Sequence, residues 1–442
     1  MRIATLFCLG LGLCAACSSA GPSLLDAGDT PGADARADGG FSADSGSGAD
    51  AGSSADTGSS ADTGPNADAD TADTGGAPDA TNADAEPLAV QEPAPVPEHG
   101  GVIWTDGCPM AMAISSTGTP VVAYHSAAGA NDLMVARRFQ DRWAELPAPV
   151  NLYPPTTGHC FALSLDATDV PVVALIDRIP GGDHRQEVRR WSGTGWQTLG
   201  ATVTVSYYDA LTDLLTDPTG RLVWAANVNG EIVVSRWDSG QSRWVALGAP
   251  VHSVQTYASN PSLALQSNGE PMLGWVEGRG GSNARFLYVA LWDGNAWQQQ
   301  GAEIDAVGDA THGLSDFQLI NDGGPVVSYA YYDGATRNLR VRRFGAGAWT
   351  DLGSPMPTQS DGIHPAMLAL SGGGFLMAWA DDVGTPLLLS RYRAGAWEPS
   401  ARVPAPSIAR PPYPVLAARS GRIFLAHHGY DDQGWVFRIN LP

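Results

Sequence analysis

The chain has 442 residues, with 46 acidic against 25 basic side chains and a formal charge of −21 at pH 7. All 25 basic residues are Arg, so there is no lysine for a phosphate loop, a Schiff base or a pyridoxal-phosphate attachment. The acidic balance also removes the electrostatic footprint of a nucleic-acid binder.

From Met1 to Ala16 a single Arg2 precedes an apolar stretch that is too short to span a bilayer stably. Residues 1–16 therefore read as a secretion signal. Leu13-Cys14-Ala15-Ala16-Cys17 resembles a bacterial lipobox, although Cys14 stands where that pattern usually has Leu. The resemblance implies lipidation of Cys17 and, from Ser18 behind it, sorting to the outer membrane. Ordinary cleavage after Ala20, releasing a soluble protein, stays open as the alternative.

Residues 17–98 read as a disordered tether. Asp38, Asp44, Asp50, Asp56, Asp62 and Asp68 recur every six residues among Ala, Gly, Ser and Thr, leaving almost nothing to bury. Between Ser23 and His99 there are 16 acidic residues and Arg36 alone, so most of the net charge lies on a self-repelling spacer. A flexible coil of about 75 residues reaches about 50 Å. The ladder lacks the apolar residue that calcium-binding nonapeptide repeats bury, which favours a solvated spacer. An Asp/Ala/Gly tether behind a lipobox resembles, in composition, the surface lipoproteins of myxobacteria and their relatives.

Residues 99–442 contain one pattern written seven times. Its clearest copy runs Pro261 to Trp275, then Phe286 to Trp292 and Trp297 to Gly301. The residue opening the second strand recurs at Pro120, Pro171, Arg221, Pro271, Pro325, Phe375 and Arg422, in steps of 51, 50, 50, 54, 50 and 47. An aromatic ending the third strand precedes a Trp opening the fourth: Phe139 and Trp143, Trp191 and Trp196, Trp237 and Trp244, Trp292 and Trp297, Phe344 and Trp349, Tyr392 and Trp397. Four short strands per unit at this period predict an all-β fold, a seven-bladed β-propeller of four-stranded blades. The seventh copy has three strands, so Gly101-Val-Ile-Trp104 is expected to supply the fourth and close the ring. Segments such as Ser267-Asn-Gly-Glu270 are hairpin turns whose Gly supplies positive φ. No helical apolar period follows them, which excludes dinucleotide and NTP folds. The repeated Trp residues are expected to pack between blades rather than to mark a sugar site in each one.

The segment Trp292-Asp-Gly-Asn-Ala-Trp297 resembles the Asp-box of sialidase propellers, which also sits between third and fourth strands, though its Ser is missing here. In Phe344-Gly-Ala-Gly-Ala-Trp349 the Asp is missing too. The Asp-box is structural in that family, so the resemblance implies the fold more than an activity. A sialidase would also need an Arg triad, a Tyr nucleophile and an acidic partner. Arg410 is the one Arg at a first-strand entrance, and Tyr208 with Glu277 would be nucleophile and base.

Cys8 and Cys14 leave with the signal, and Cys108 and Cys160 sit at nearly equivalent places before neighbouring first strands. An exported protein keeps disulfides, so they are expected to pair, with two buried thiols as the alternative. The face formed by fourth-to-first and second-to-third connections is the expected binding face. It gathers Asp106, His159, Tyr208, Asp209, His312, Asp316 and His364 before first strands, and Glu277, Asp333 and Asp381 after second strands. Strand-end capping explains many of these; a central pocket for a carbohydrate or protein ligand is the sharper reading. His159, His312 and His364 do not all lie on neighbouring blades, so no metal or other cofactor is expected. The expectation is a monomeric, non-catalytic binding module touching the membrane only through its lipid, with glycoside hydrolysis as the alternative.

Overall fold

A computed structural model describes residues 89–90, 94–96, 110–126, 132–140, 142–152, 161–178, 184–205, 212–228, 230–252, 258–278, 285–307, 317–332, 337–353, 356–358, 364–380, 387–403, 413–428 and 434–441. The first strands of the seven blades are Met110–Ile114, Ala162–Leu165, Thr212–Thr216, Ala258–Leu265, Phe317–Asn321, Ala366–Ala369 and Val415–Arg419. Each lies beside the first strand of the next blade, and the last lies beside the first. The ring is closed. It is a seven-bladed β-propeller.

Second strands such as Pro120–His125, Pro271–Gly278 and Phe375–Ala380 read as unbroken apolar runs because both of their faces are covered. In blade one, Val121 and Ala123 pack toward blade two, while Val122 and Tyr124 pack toward blade seven. One such apolar cluster occupies each junction between neighbouring blades, so the core is a ring of seven sheet-to-sheet contacts.

Closure is made by a different segment from the one the sequence pointed to. Ala89–Val90 and Ala94–Pro95 both pair antiparallel with Gly434–Asn440, the third strand of blade seven. Val96 continues the pairing, its N–H donating to Gly434 O at 2.8 Å. The outer edge expected to receive Gly101 to Trp104 is thus already occupied, and those four residues lie outside the described residues. The closing strand also falls inside the interval read as tether. Val96 is buried at the junction of blades seven and one, and Val90 packs at that of six and seven.

Two details of register differ from the sequence reading. The second strand of blade three opens at Leu222, which pairs with Thr216, rather than at Arg221. In blade one Trp143 stands opposite Arg138, and Phe139 pairs with Arg142 instead. Shifting by one residue turns a side chain to the other side of the sheet, and Phe139 is 70% exposed.

The first-to-second turns interlock around the axis. Ser420 of blade seven donates to Ser116 O at 2.9 Å, and the Ser116 N–H donates to Asp169 of blade two at 2.9 Å. Arg419 reaches the same Asp169 carboxylate at 3.2 Å. A Cβ on Gly220 would lie 2.5 Å from Ala167 Cβ, a measure of how closely the turns of blades two and three approach.

Candidate functional site

Opposite the interlocked turns is the end where first strands begin and second strands finish. Of the predicted ligand-binding residues, Glu277 and His364 fall within the described residues. Asp106, His159, Tyr208, Asp209, His312, Asp316, Asp333 and Asp381 lie outside them, as do Cys17, Cys108 and Cys160.

Glu277 is inside the sheet rather than on the rim, with no exposed surface. Its carboxylate accepts the Trp275 indole N–H at 2.7 Å, and Trp275 stacks on Tyr288 with ring centroids 5.6 Å apart. The neighbouring strand ends are braces of the same kind. Asp177 accepts the Leu152 N–H at 2.8 Å, and the Asn227 amide donates to Ala258 O of blade four at 2.6 Å. His125 and His427 are both buried, the first edge-on to Phe161 and the second stacked on Phe437. His364 is half-buried at the entrance to blade six and stacks on Tyr413 at the entrance to blade seven, with centroids 3.4 Å apart. That pair forms an aromatic platform spanning two blades at the mouth.

The inner wall holds a residue that the sequence reading passed over. In each first strand one position faces the third residue beyond the start of the second strand, and in most blades it is small: Ala111 opposite Ala123, Ala162 opposite Ala174, Ala366 opposite Ala378. In blade three that position is Asp213, opposite Ala225. Its carboxylate accepts the Leu263 N–H of blade four at 2.6 Å and the Leu214 N–H at 2.7 Å. Burial pushes this carboxyl up to about 6, against the lowering effect of the two N–H donors. In blade five the same place holds Gln318, opposite Ser328, which accepts the Met367 N–H of blade six at 2.8 Å. The signal was available: aligning the copies by cross-strand partner leaves Asp213 as the acidic member of an otherwise small or neutral row.

The strand that Asp213 grips is irregular. Between Ser259, paired with Val276, and Ser262, paired with Gly274, Asn260 and Pro261 together oppose the single Trp275, a β-bulge. Asn260 has a φ of 53° although it precedes Pro261, and a following proline pushes a residue toward extended backbone.

No protein family matches the chain, and no curated protein matches it in sequence. Among solved structures it is similar to a polysaccharide lyase, at 10% identity over 78% of this chain and 91% of that one, with a TM-score of 0.49. It is also similar to virginiamycin B lyase from Staphylococcus aureus, at 12% identity over 80% and 99% of the two chains, with a TM-score of 0.45. A lectin from Aleuria aurantia aligns at 13% identity over 77% and 96%, with a TM-score of 0.44. Each is a likeness of overall fold.

The third-to-fourth turn of blade four behaves as the Asp-box resemblance implied. Asp293 accepts the N–H groups of Asn295 and Ala296, each at 2.8 Å. These backbone bonds, with one from Gln298, hold its carboxyl below the usual range. The turn is a local clamp.

Proposed function

We propose that this chain is a cell-envelope lipoprotein whose propeller is a non-catalytic binding module, taking a carbohydrate or protein ligand at the mouth where first strands begin. The observation that carries the reading is the His364–Tyr413 platform, partly exposed at that mouth, while at the opposite end turns of neighbouring blades hydrogen-bond to one another. An aromatic face suits stacking on the apolar face of a sugar. The buried carboxylates Glu277 and Asp177 are occupied in bracing.

Lipid-anchored placement at the outer membrane belongs to the same proposal. It is checked by radiolabelled palmitate incorporation, which Cys17→Ala should abolish. The Cys108–Cys160 pair is proposed as a disulfide, to be read by non-reducing peptide mass spectrometry. Glycoside hydrolysis is the second reading, favoured by Asp213, whose carboxyl at about 6 would suit a general acid near neutral pH.

The deciding experiment is a glycan and polysaccharide array probed with the exported chain, followed by reducing-end release on every sugar bound. Saturable binding that Tyr413→Ala weakens, with no release, supports the module. Release of reducing ends replaces it with the hydrolase. Absence of any glycan binding removes the carbohydrate arm.

A further inference from the structure

The first-to-second turns of blades one, two, three, four and six share one form. In each, the N–H of the fourth residue donates back to the carbonyl of the first, at 2.8–3.0 Å: Gly118 to Ser115, Asp169 to Asp166, Gly220 to Asp217, Gly269 to Gln266 and Gly373 to Leu370. That fourth residue has positive φ throughout, and Asp169, at 60°, is the one that is not Gly. Glycine would take this backbone at no steric cost. The Asp169 carboxylate makes contacts that glycine cannot. It accepts the Ser116 N–H of blade one at 2.9 Å, together with the Ser116 hydroxyl, and it meets Arg419 of blade seven at 3.2 Å. Elsewhere among the described residues this end of the ring is joined between immediate neighbours: the Thr216 hydroxyl donates to Leu165 O, the Asn321 amide to Leu265 O and the Gly374 N–H to Asp322. The Arg419–Asp169 pair skips a blade. It does so at the seam where the first and last blades meet, where Ser420 also donates to Ser116 O at 2.9 Å and Arg422 to Gly118 O at 3.3 Å.

We propose that Asp169 is the hub of an ionic clasp that closes the ring at the axis, independently of the strand that closes it at the rim. The closing strand pairs with the third strand of blade seven, at the outer edge of that sheet. The clasp grips the turns that follow the innermost strands of blades seven, one and two. When the outer strand is displaced, the clasp still holds the turn end together, so the ring parts from the rim inward. Arg419 and Asp169 are both partly exposed, and salt screens such a pair. Opening at the axis therefore responds to ionic strength, while the backbone pairing at the rim does not.

The test uses the full chain. Asp169→Gly removes the hub but suits the backbone, and Arg419→Gln removes the charge that reaches past blade one. Thermal scans are run at low salt and at about 1 M sodium chloride, which confines charge interactions to about 3 Å. Each variant is expected to lower Tm by about 2 °C or more at low salt, with the gap closing at high salt, and the double variant to lose less than the two single losses added together. Hydrogen exchange read by mass spectrometry separates the inner closure from the outer one. Val415–Arg419 should exchange about tenfold faster in either variant, with Gly434–Asn440 unchanged. If Asp169→Gly leaves Tm unchanged or raises it at both salts, Asp169 is an ordinary turn residue and the clasp is overturned. Additive losses overturn the Arg419–Asp169 coupling, and equal acceleration at Gly434–Asn440 overturns the independence of the two closures. Arg419→Gln leaves every turn residue with positive φ in place, so it carries the same comparison where Asp169→Gly fails to fold.

Discussion

Asp213 places a titratable proton inside a junction between blades, and that has a thermodynamic consequence independent of any ligand. Its carboxyl rises from 3.8 to about 6 on folding because burial disfavours the charge. The stabilisation is therefore complete below about 4 and lost as pH rises through about 6. Relative to Asp213→Gln, wild type should gain on the order of 3 kcal/mol of unfolding free energy between pH 8 and pH 4; urea denaturation across that range measures it, and a flat difference would refute it. Glu277 makes the contrasting case. Replacing it with Ala strands the Trp275 indole N–H inside the sheet, an expected loss of about 1–3 kcal/mol in the same assay. Residue roles were the least legible feature of the sequence. Glu277 and Asp213 are both acids in short apolar strands, and strand spacing does not reveal which face or depth each occupies. Only the cross-strand register separates the brace within the sheet from the carboxyl at the junction between blades.

Among elements, the fourth strands show why one aromatic pattern recurs. The indole N–H of Trp196, Trp244, Trp297, Trp349 and Trp397 donates to a backbone carbonyl of the preceding blade, at Ala148, Leu199, Leu247, Gln300 and Leu352, over 2.6–3.0 Å. Gly248 follows Leu247 with a φ of 75°, and a Cβ there would lie 2.9 Å from the Trp292 ring. The Trp of one blade thus rests on a glycine of the blade before it. Trp297→Phe keeps most of the ring but removes this staple, and should cost about 1 kcal/mol. Trp143→Phe should cost less, because its indole N–H has no acceptor among the described residues. Chemical denaturation of the two variants side by side tests the difference, and equal losses would refute the staple. The sequence showed this ladder as packing, which the structure bears out. Phe139 ends its third strand as expected, but the fourth strand opens one residue early, at Arg142, so Trp143 stands opposite Arg138. A second periodic feature went unread: Arg190, Arg236 and Arg391, each one residue before an aromatic, bond Asp166, Glu270 and Glu398 at 2.6–2.8 Å.

At the scale of the molecule, the ring was legible because seven copies of a four-stranded pattern have few ways to hide their edges. The closing strand was not. Ala89, Val90, Ala94 and Val96 carry little apolar weight in an Ala- and Pro-rich stretch, whereas Gly101-Val-Ile-Trp104 carries much more and drew the assignment. Deleting residues 1–88 should leave Tm unchanged, while deleting 1–96 exposes the outer edge of Gly434–Asn440 and should lower Tm and promote association. Thermal scanning with size-exclusion chromatography distinguishes the two; a 1–96 deletion as stable and monomeric as the shorter one would refute the closure.

The pairing of Ala89 with Asn440 also sets an order of events. A segment near the start of the folded part must wait for almost the last strand to be made, so closure is the most non-local strand pairing among the described residues and a late step in folding. While a nascent chain lacks Gly434–Asn440, its blades can stack but cannot be latched. The protein should therefore be most open to proteases and to self-association in the interval between emergence of blade six and completion of blade seven.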